Sequence, residues 1–169
     1  MAETLDPALP PEVQDRADSV LDLAHQKGLK LATAESCTGG LLAALLTDVE
    51  GRSHVFERGF VVYSEDAKCD LLGIARDEVE SCGAVSEEIA RAMALGAVRR
   101  SRADIAVAIT GFAGPAGSSD EEGLVHFACA QRIGEVRHRE EHFGPIGRQG
   151  VRIEALNVAL ELLEEALQA

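Results

Sequence analysis

The sequence has no Trp, a single Tyr, and only 16 Lys and Arg against 29 Asp and Glu. The shortage of basic residues excludes most. With a formal net charge of −13 and no Lys/Arg-rich cluster, the chain lacks the cationic footprint that displaces counterions from nucleic acid. The same balance argues against docking on anionic lipid. No segment approaches the roughly 20 apolar residues that span a bilayer. The opening MAETLDPALPPEV is acidic and proline-rich, unlike a signal peptide. Cys37, Cys69, Cys82 and Cys129 show no C-x-x-C spacing and read as reduced thiols. These absences point to a cytoplasmic protein with neither a nucleic-acid nor a membrane partner. The length suits one domain over residues 1–169, its first ten or so residues a flexible N-terminal segment.

What is present is regular. Val13, Ala17, Val20, Leu21 and Ala24 recur at helical spacing until Gly28. LKLATA reads as a strand, Thr38 to about Val49 as a buried helix, and Gly59–Tyr63 as a second strand. EDAKCDLLG suggests a short helix stopped by Gly73, and Ser86 can cap a helix with Glu87 and Glu88 in its first turn. Asp104–Thr110 is apolar enough for a central strand, and the short RIG between LVHFACAQ and EVRHREEHF predicts a hairpin. Leu156, Leu160, Leu163 and Leu167 mark one stripe of a C-terminal helix. Helices interleaved with strands predict an α/β fold, a three-layer α/β/α sandwich whose hairpin makes a mostly parallel sheet mixed.

Ligands of open α/β sheets collect at the carboxyl ends of strands. TAESCTGG occupies such an end and leads into a helix, whose first N–H groups can receive an oxyanion or phosphate. Glu35, Thr38, Gly39 and Gly40 are therefore candidate substrate-binding residues, with the glycines allowing close backbone approach. Ser36 and Cys37 are both candidate nucleophiles, and helix capping by Ser36 or Thr38 is the plainer alternative. YSEDAK puts Tyr63 at another strand end and Lys68 just beyond it. A hydroxyl beside a desolvated Lys is a workable acyl-transfer pair. TGFAGPAG follows a third strand and adds Thr110, Gly111, Ala113 and Gly114 as substrate-shaping candidates; it is neither a P-loop nor a dinucleotide fingerprint. SSDEE beyond it reads as a solvated loop tip. HREEH, His138 to His142, has the order of a zinc signature, but in a strand its imidazoles stand roughly 13 Å apart, too far for one zinc. No metal and no cofactor is expected.

Five blocks together, TAESCTGGLLAALLT, VFERGFVVYSEDAK, GAVSEEIA, ADIAVAITGFAGPAG and FGPIGRQGVR, resemble the CinA C-terminal-domain family, which includes stand-alone nicotinamide-nucleotide amidohydrolases. The resemblance runs from about Leu29 to the C-terminus. It implies the α/β/α sandwich with a mixed sheet and hydrolysis of the carboxamide of nicotinamide mononucleotide, a small-molecule nucleotide substrate. It also implies Ser36 as nucleophile, Lys68 as general base, Tyr63 as a residue that orders that pair or donates a hydrogen bond, and Arg148 as a grip on the nucleotide phosphate. A homo-oligomer is expected. The sequence departs from the family pattern at Glu65 (usually Asn), at Gly147 (usually Asp), and in a short acidic GPAGSSDEEG loop. Each departure bears on pocket shape or substrate choice. A non-catalytic nucleotide-binding or partner-docking module of the same fold is the competing expectation.

Overall fold

The computed structural model describes residues 9–115 and 117–169. The expected flexible N-terminal segment falls largely on residues 1–8, outside the described residues; Leu9 is buried in the core. Helix α1 (Pro11–Lys27) starts with Pro in its first turn and stops at Gly28, which takes the left-handed conformation. Strand β1 (Leu31–Glu35) follows, then α2 (Leu41–Thr47) and β2 (Phe56–Val61). Helices α3 (Glu65–Leu72), α4 (Arg76–Cys82) and α5 (Glu87–Arg99) precede β3 (Ile105–Gly111). The hairpin of β4 (Leu124–Gln131) and β5 (Val136–His142) leads to α6 (Gly147–Gln168).

The five strands form one sheet in the order β2-β1-β3-β4-β5. β1 pairs in parallel with β2 and β3, whereas β3–β4 and β4–β5 are antiparallel. Four strands therefore run one way and β4 alone runs back, so the sheet is mixed through its hairpin. Alternation along the central strands divides two unlike faces. Leu31, Val107, Ile109 and Phe127 face α1, α2 and α6, where bulky side chains fill the gap between layers. Ala32, Ala34, Ala106, Ala108, Ala128 and Ala130 face α5, which small side chains allow to lie close. Fully burying Phe127 contributes roughly 1.5–3 kcal/mol.

Three boundaries differ from the sequence expectation. β2 starts at Phe56 rather than Gly59, because pairing with β1 begins at the Leu31–Phe56 register. α2 is shorter at both ends, since residues 36–40 form a turn in which Gly39 and Gly40 adopt φ of 61° and 96°, a region that favours glycine. α4 has no counterpart in the sequence reading. Ser86 caps α5 as expected, its hydroxyl accepting from the Ile89 N–H at 3.3 Å. Among the described residues no helix is long and apolar enough to cross a membrane.

Candidate active site

The parallel run of β2, β1 and β3 brings their carboxyl ends to one edge of the sheet. The segments that follow them surround a cavity of about 370 Å³. Ser36 and Cys37 come from the turn after β1, Tyr63 and Lys68 from the β2–α3 segment, and Thr110 to Pro115 from the end of β3 and its loop. Ala84 and Val85 add an apolar wall, and Arg148 reaches in from the first turn of α6.

At the centre, Lys68 Nζ donates to Ser36 Oγ at 3.1 Å and to the Val62 carbonyl at 3.0 Å. Local structure explains the meeting. Ser64 caps α3 by accepting from the Ala67 N–H at 3.0 Å, and the helix turns Lys68 inward one residue later. Lys68 is 1% exposed. Burial pushes its pKa below the ordinary lysine value, against the Cys37 thiol, Glu65 and Cys69, which pull upward. Glu65 and Asp66 themselves are exposed, and Asp66 pairs with Arg76 of α4 at 2.5 Å. No carboxylate forms an ion pair with Lys68 among the described residues. Ser36 is equally fixed: its N–H donates to the Ile109 carbonyl of β3 at 3.0 Å.

Cys37, the rival nucleophile, has a thiol pushed up to about 11 by burial, so it stays protonated at neutral pH. Tyr63 lies at the rim, 68% exposed, and its hydroxyl bonds to no other described residue, so it does not order the Ser36–Lys68 pair by a hydrogen bond. Thr110 is buried and donates to the Ala84 carbonyl at 2.7 Å, pinning the wall before α5 to the end of β3. Gly111, Ala113 and Gly114 line the cavity. A Cβ on Gly114 would come within 2.9 Å of the Arg148 Cζ, so the loop and that cation pack closely here. The Arg148 side chain forms no ion pair or hydrogen bond with another described residue.

The structure does not bring Glu35, Thr38, Gly39 or Gly40 into the cavity lining. Glu35 turns the other way, fully buried beneath α2. It accepts from Thr38 Oγ1 at 2.7 Å and from the N–H groups of Leu42 and Ala43 at 2.8 and 3.0 Å. Burial raises its pKa and these donors oppose the rise. The expected anion acceptor, the start of α2, is thus already occupied by the protein's own carboxylate.

Two residues escaped the sequence reading. Asp120, assigned to a solvated loop tip, stands in the cavity wall as the sole carboxylate among the described lining residues. Arg152, at the end of the FGPIGRQGVR block, donates from Nε to the Cys37 carbonyl at 2.9 Å. His138 and His142 both lie on strand β5, where His138 meets His126 and His142 meets Glu121 and Glu140. No group of three or more His, Cys, Asp or Glu among the described residues could hold a metal ion.

An α/β/α sandwich with a buried lysine on a serine at the carboxyl edge of its sheet is the class of domain defined here. The model of the CinA C-terminal domain matches residues 13–167, and the chain belongs to that family. Nicotinamide-nucleotide amidohydrolase PncC of Escherichia coli K12 is 43% identical over 154 residues, 90% of this chain and 93% of that protein. The protein of the same name from Enterobacter agglomerans is 44% identical over 137 residues, covering 80% and 83%. Among solved structures, the competence/damage inducible protein CihA of Agrobacterium tumefaciens superposes with a TM-score of 0.91 at 43% identity over 100% of both chains. A CinA superfamily protein of Escherichia coli gives 0.86 at 31% identity, covering 98% and 99%.

Proposed function

We propose that this protein is an amidohydrolase that converts nicotinamide mononucleotide to nicotinate mononucleotide and ammonia, with Ser36 as nucleophile and Lys68 as general base. The observation that carries the proposal is the 3.1 Å contact with Ser36 Oγ of a buried Lys68 that forms no ion pair among the described residues. The substrate follows from the amidohydrolases named above, which match this chain over most of its length.

The chemistry follows from the proton inventory. A neutral Lys68 keeps one N–H on the Val62 carbonyl and turns its lone pair to the Ser36 hydroxyl. As Ser36 Oγ attacks the carboxamide carbon, Lys68 takes the hydroxyl proton. The C–N bond then breaks and Lys68 returns that proton to the leaving amide nitrogen, which departs as ammonia. Water hydrolyses the acyl-enzyme by the same exchange, and the proton returns to Ser36. Arg148, exposed and without an ion pair or hydrogen bond to another described residue, suits the phosphate monoester. Asp120 lies in the same wall, and nicotinamide mononucleotide carries a cationic pyridinium and a ribose diol, both of which a carboxylate accommodates.

Ammonia release from nicotinamide mononucleotide, beside a panel of other amides and without added metal, tests the proposal. Turnover of the mononucleotide is expected. Turnover of a different amide alone would change the substrate, and silence on the whole panel would favour a binding module.

A further inference from the structure

The described lining of the cavity carries Lys68, Arg148 and Asp120 as its charged residue types. Lys68 is engaged with Ser36 and the Val62 carbonyl, and burial keeps the Cys37 thiol protonated. Two groups of opposite sign remain, the Arg148 guanidinium and the Asp120 carboxylate. They do not pair with each other, and neither forms an ion pair or hydrogen bond with any other described residue. Opposite charges that share one cavity yet stay apart are both open to a ligand.

The Asp120 carboxylate is held in the wall by its loop. Phe112 N–H donates to the Leu124 carbonyl at 2.9 Å and Gly123 N–H to the Phe112 carbonyl at 2.8 Å, which ties the two stems together. Asp120 N–H donates to the Gly117 carbonyl at 3.0 Å, closing a turn. Asp120 Oδ2 comes 3.8 Å from where a Cβ on Gly117 would sit, and Gly117 also lines the cavity. The neighbouring Glu121 is engaged elsewhere, on His142 of β5 at 2.7 Å.

This arrangement discriminates by charge. A phosphate monoester gains from Arg148 and is repelled by Asp120 across a cavity of about 370 Å³. A positively charged ring on the same ligand turns Asp120 into an attraction, whereas an uncharged ring leaves the repulsion standing. Hydrogen bonds to a ribose diol would occupy the carboxylate oxygens but leave their charge opposed to the phosphate.

We propose that Asp120 is the specificity-determining residue of this site: its carboxylate faces the pyridinium, so that the cavity favours a nucleotide with a cationic nicotinamide ring over the same nucleotide with a reduced, uncharged ring. The inference rests on the proposed function for its class of ligand.

Isothermal titration of Ser36→Ala protein, which leaves the amide uncleaved, with nicotinamide mononucleotide and with its reduced form tests it. The two ligands share phosphate, ribose diol and carboxamide and differ in ring charge, and mildly alkaline buffer keeps the reduced ring intact. The cationic form should bind more tightly. Adding Asp120→Asn should weaken it about fivefold or more and change the reduced form by less than about twofold. An equal loss for both would make Asp120 a ribose ligand and overturn the proposal, as would no loss for either. Raising the potassium chloride concentration should shrink the preference for the cationic form in the parent protein, because screening acts on the ring charge that only one ligand has. A preference indifferent to salt, or none at all, overturns the proposal even if Asp120→Asn does not fold. Ammonia release by protein with Ser36 intact separates the two claims. Turnover of nicotinamide mononucleotide without a charge preference in binding overturns the role of Asp120 alone; a charge preference without turnover contradicts the proposed hydrolysis and leaves that role standing. Binding of neither nucleotide overturns both.

Discussion

The first turn of α2 and the second turn of α3 each shelter one ionisable side chain almost fully removed from water, Glu35 and Lys68. Their surroundings could hardly differ more. Glu35 meets a hydroxyl and two backbone N–H groups at 2.7 to 3.0 Å, all donors aimed at its carboxylate. Lys68 meets a hydroxyl and one carbonyl, and among the described residues no carboxylate forms an ion pair with it. A buried charge whose partners are supplied is architecture, because it holds a turn in place. One whose charged form is left short gives up its proton more easily, which is what a base in acyl transfer requires.

That contrast breaks most visibly at the nucleophile. Ser36→Ala should lower kcat by about 10³-fold or more while substrate affinity, read by isothermal titration, stays close to wild type. Cys37→Ala should keep kcat within about threefold, since a thiol with a pKa near 11 is a packing group. The reverse pattern would make this a thiol enzyme. Next in size is the phosphate grip: Arg148→Ala should raise KM for nicotinamide mononucleotide about tenfold with little change in kcat, the loss of a charge-assisted contact. An unchanged KM would place the phosphate elsewhere. Smallest in activity but clear in stability is the architectural charge. Glu35→Gln turns an NH2 group towards backbone donors and should cost about 1–3 kcal/mol in denaturant unfolding, with activity falling only as the fold loosens. A Glu35→Gln protein as stable as wild type would remove the distinction between the two buried groups.

Much of this was legible in the sequence, and the reasons are local. The hairpin showed through RIG between two strand-like runs, LVHFACAQ and EVRHREEHF, and α5 through Ser86 with two acidic residues behind it. Ser36 and Lys68 could be paired because both follow strands that a parallel sheet brings to one edge. The four residues around the ESCTGG turn were placed in the binding site for a sound general reason, the free N–H groups of a helix start. Which group occupies them is decided by the side-chain direction of Glu35, and no periodicity reports that. Asp120 was hidden because acidic loop tips usually face water, and Arg152 because its partner, the Cys37 carbonyl, lies 115 residues away. An Arg repeated four residues after Arg148 on the same helix was the available signal.

The most direct test of the central claim is the pH dependence of kcat/KM, measured for wild type, Lys68→Met and Lys68→Arg. Burial lowers the Lys68 pKa, and only the deprotonated amine can accept the Ser36 proton. The rate should therefore climb with pH along one limb and level off above a midpoint lower than the roughly 10.4 of a solvated lysine. Lys68→Met should lose that limb with nearly all activity, and Lys68→Arg, always protonated, should not restore it. A flat wild-type profile, or a Lys68→Arg enzyme that retains substantial turnover, would contradict the account and leave Lys68 as a cation that only positions substrate.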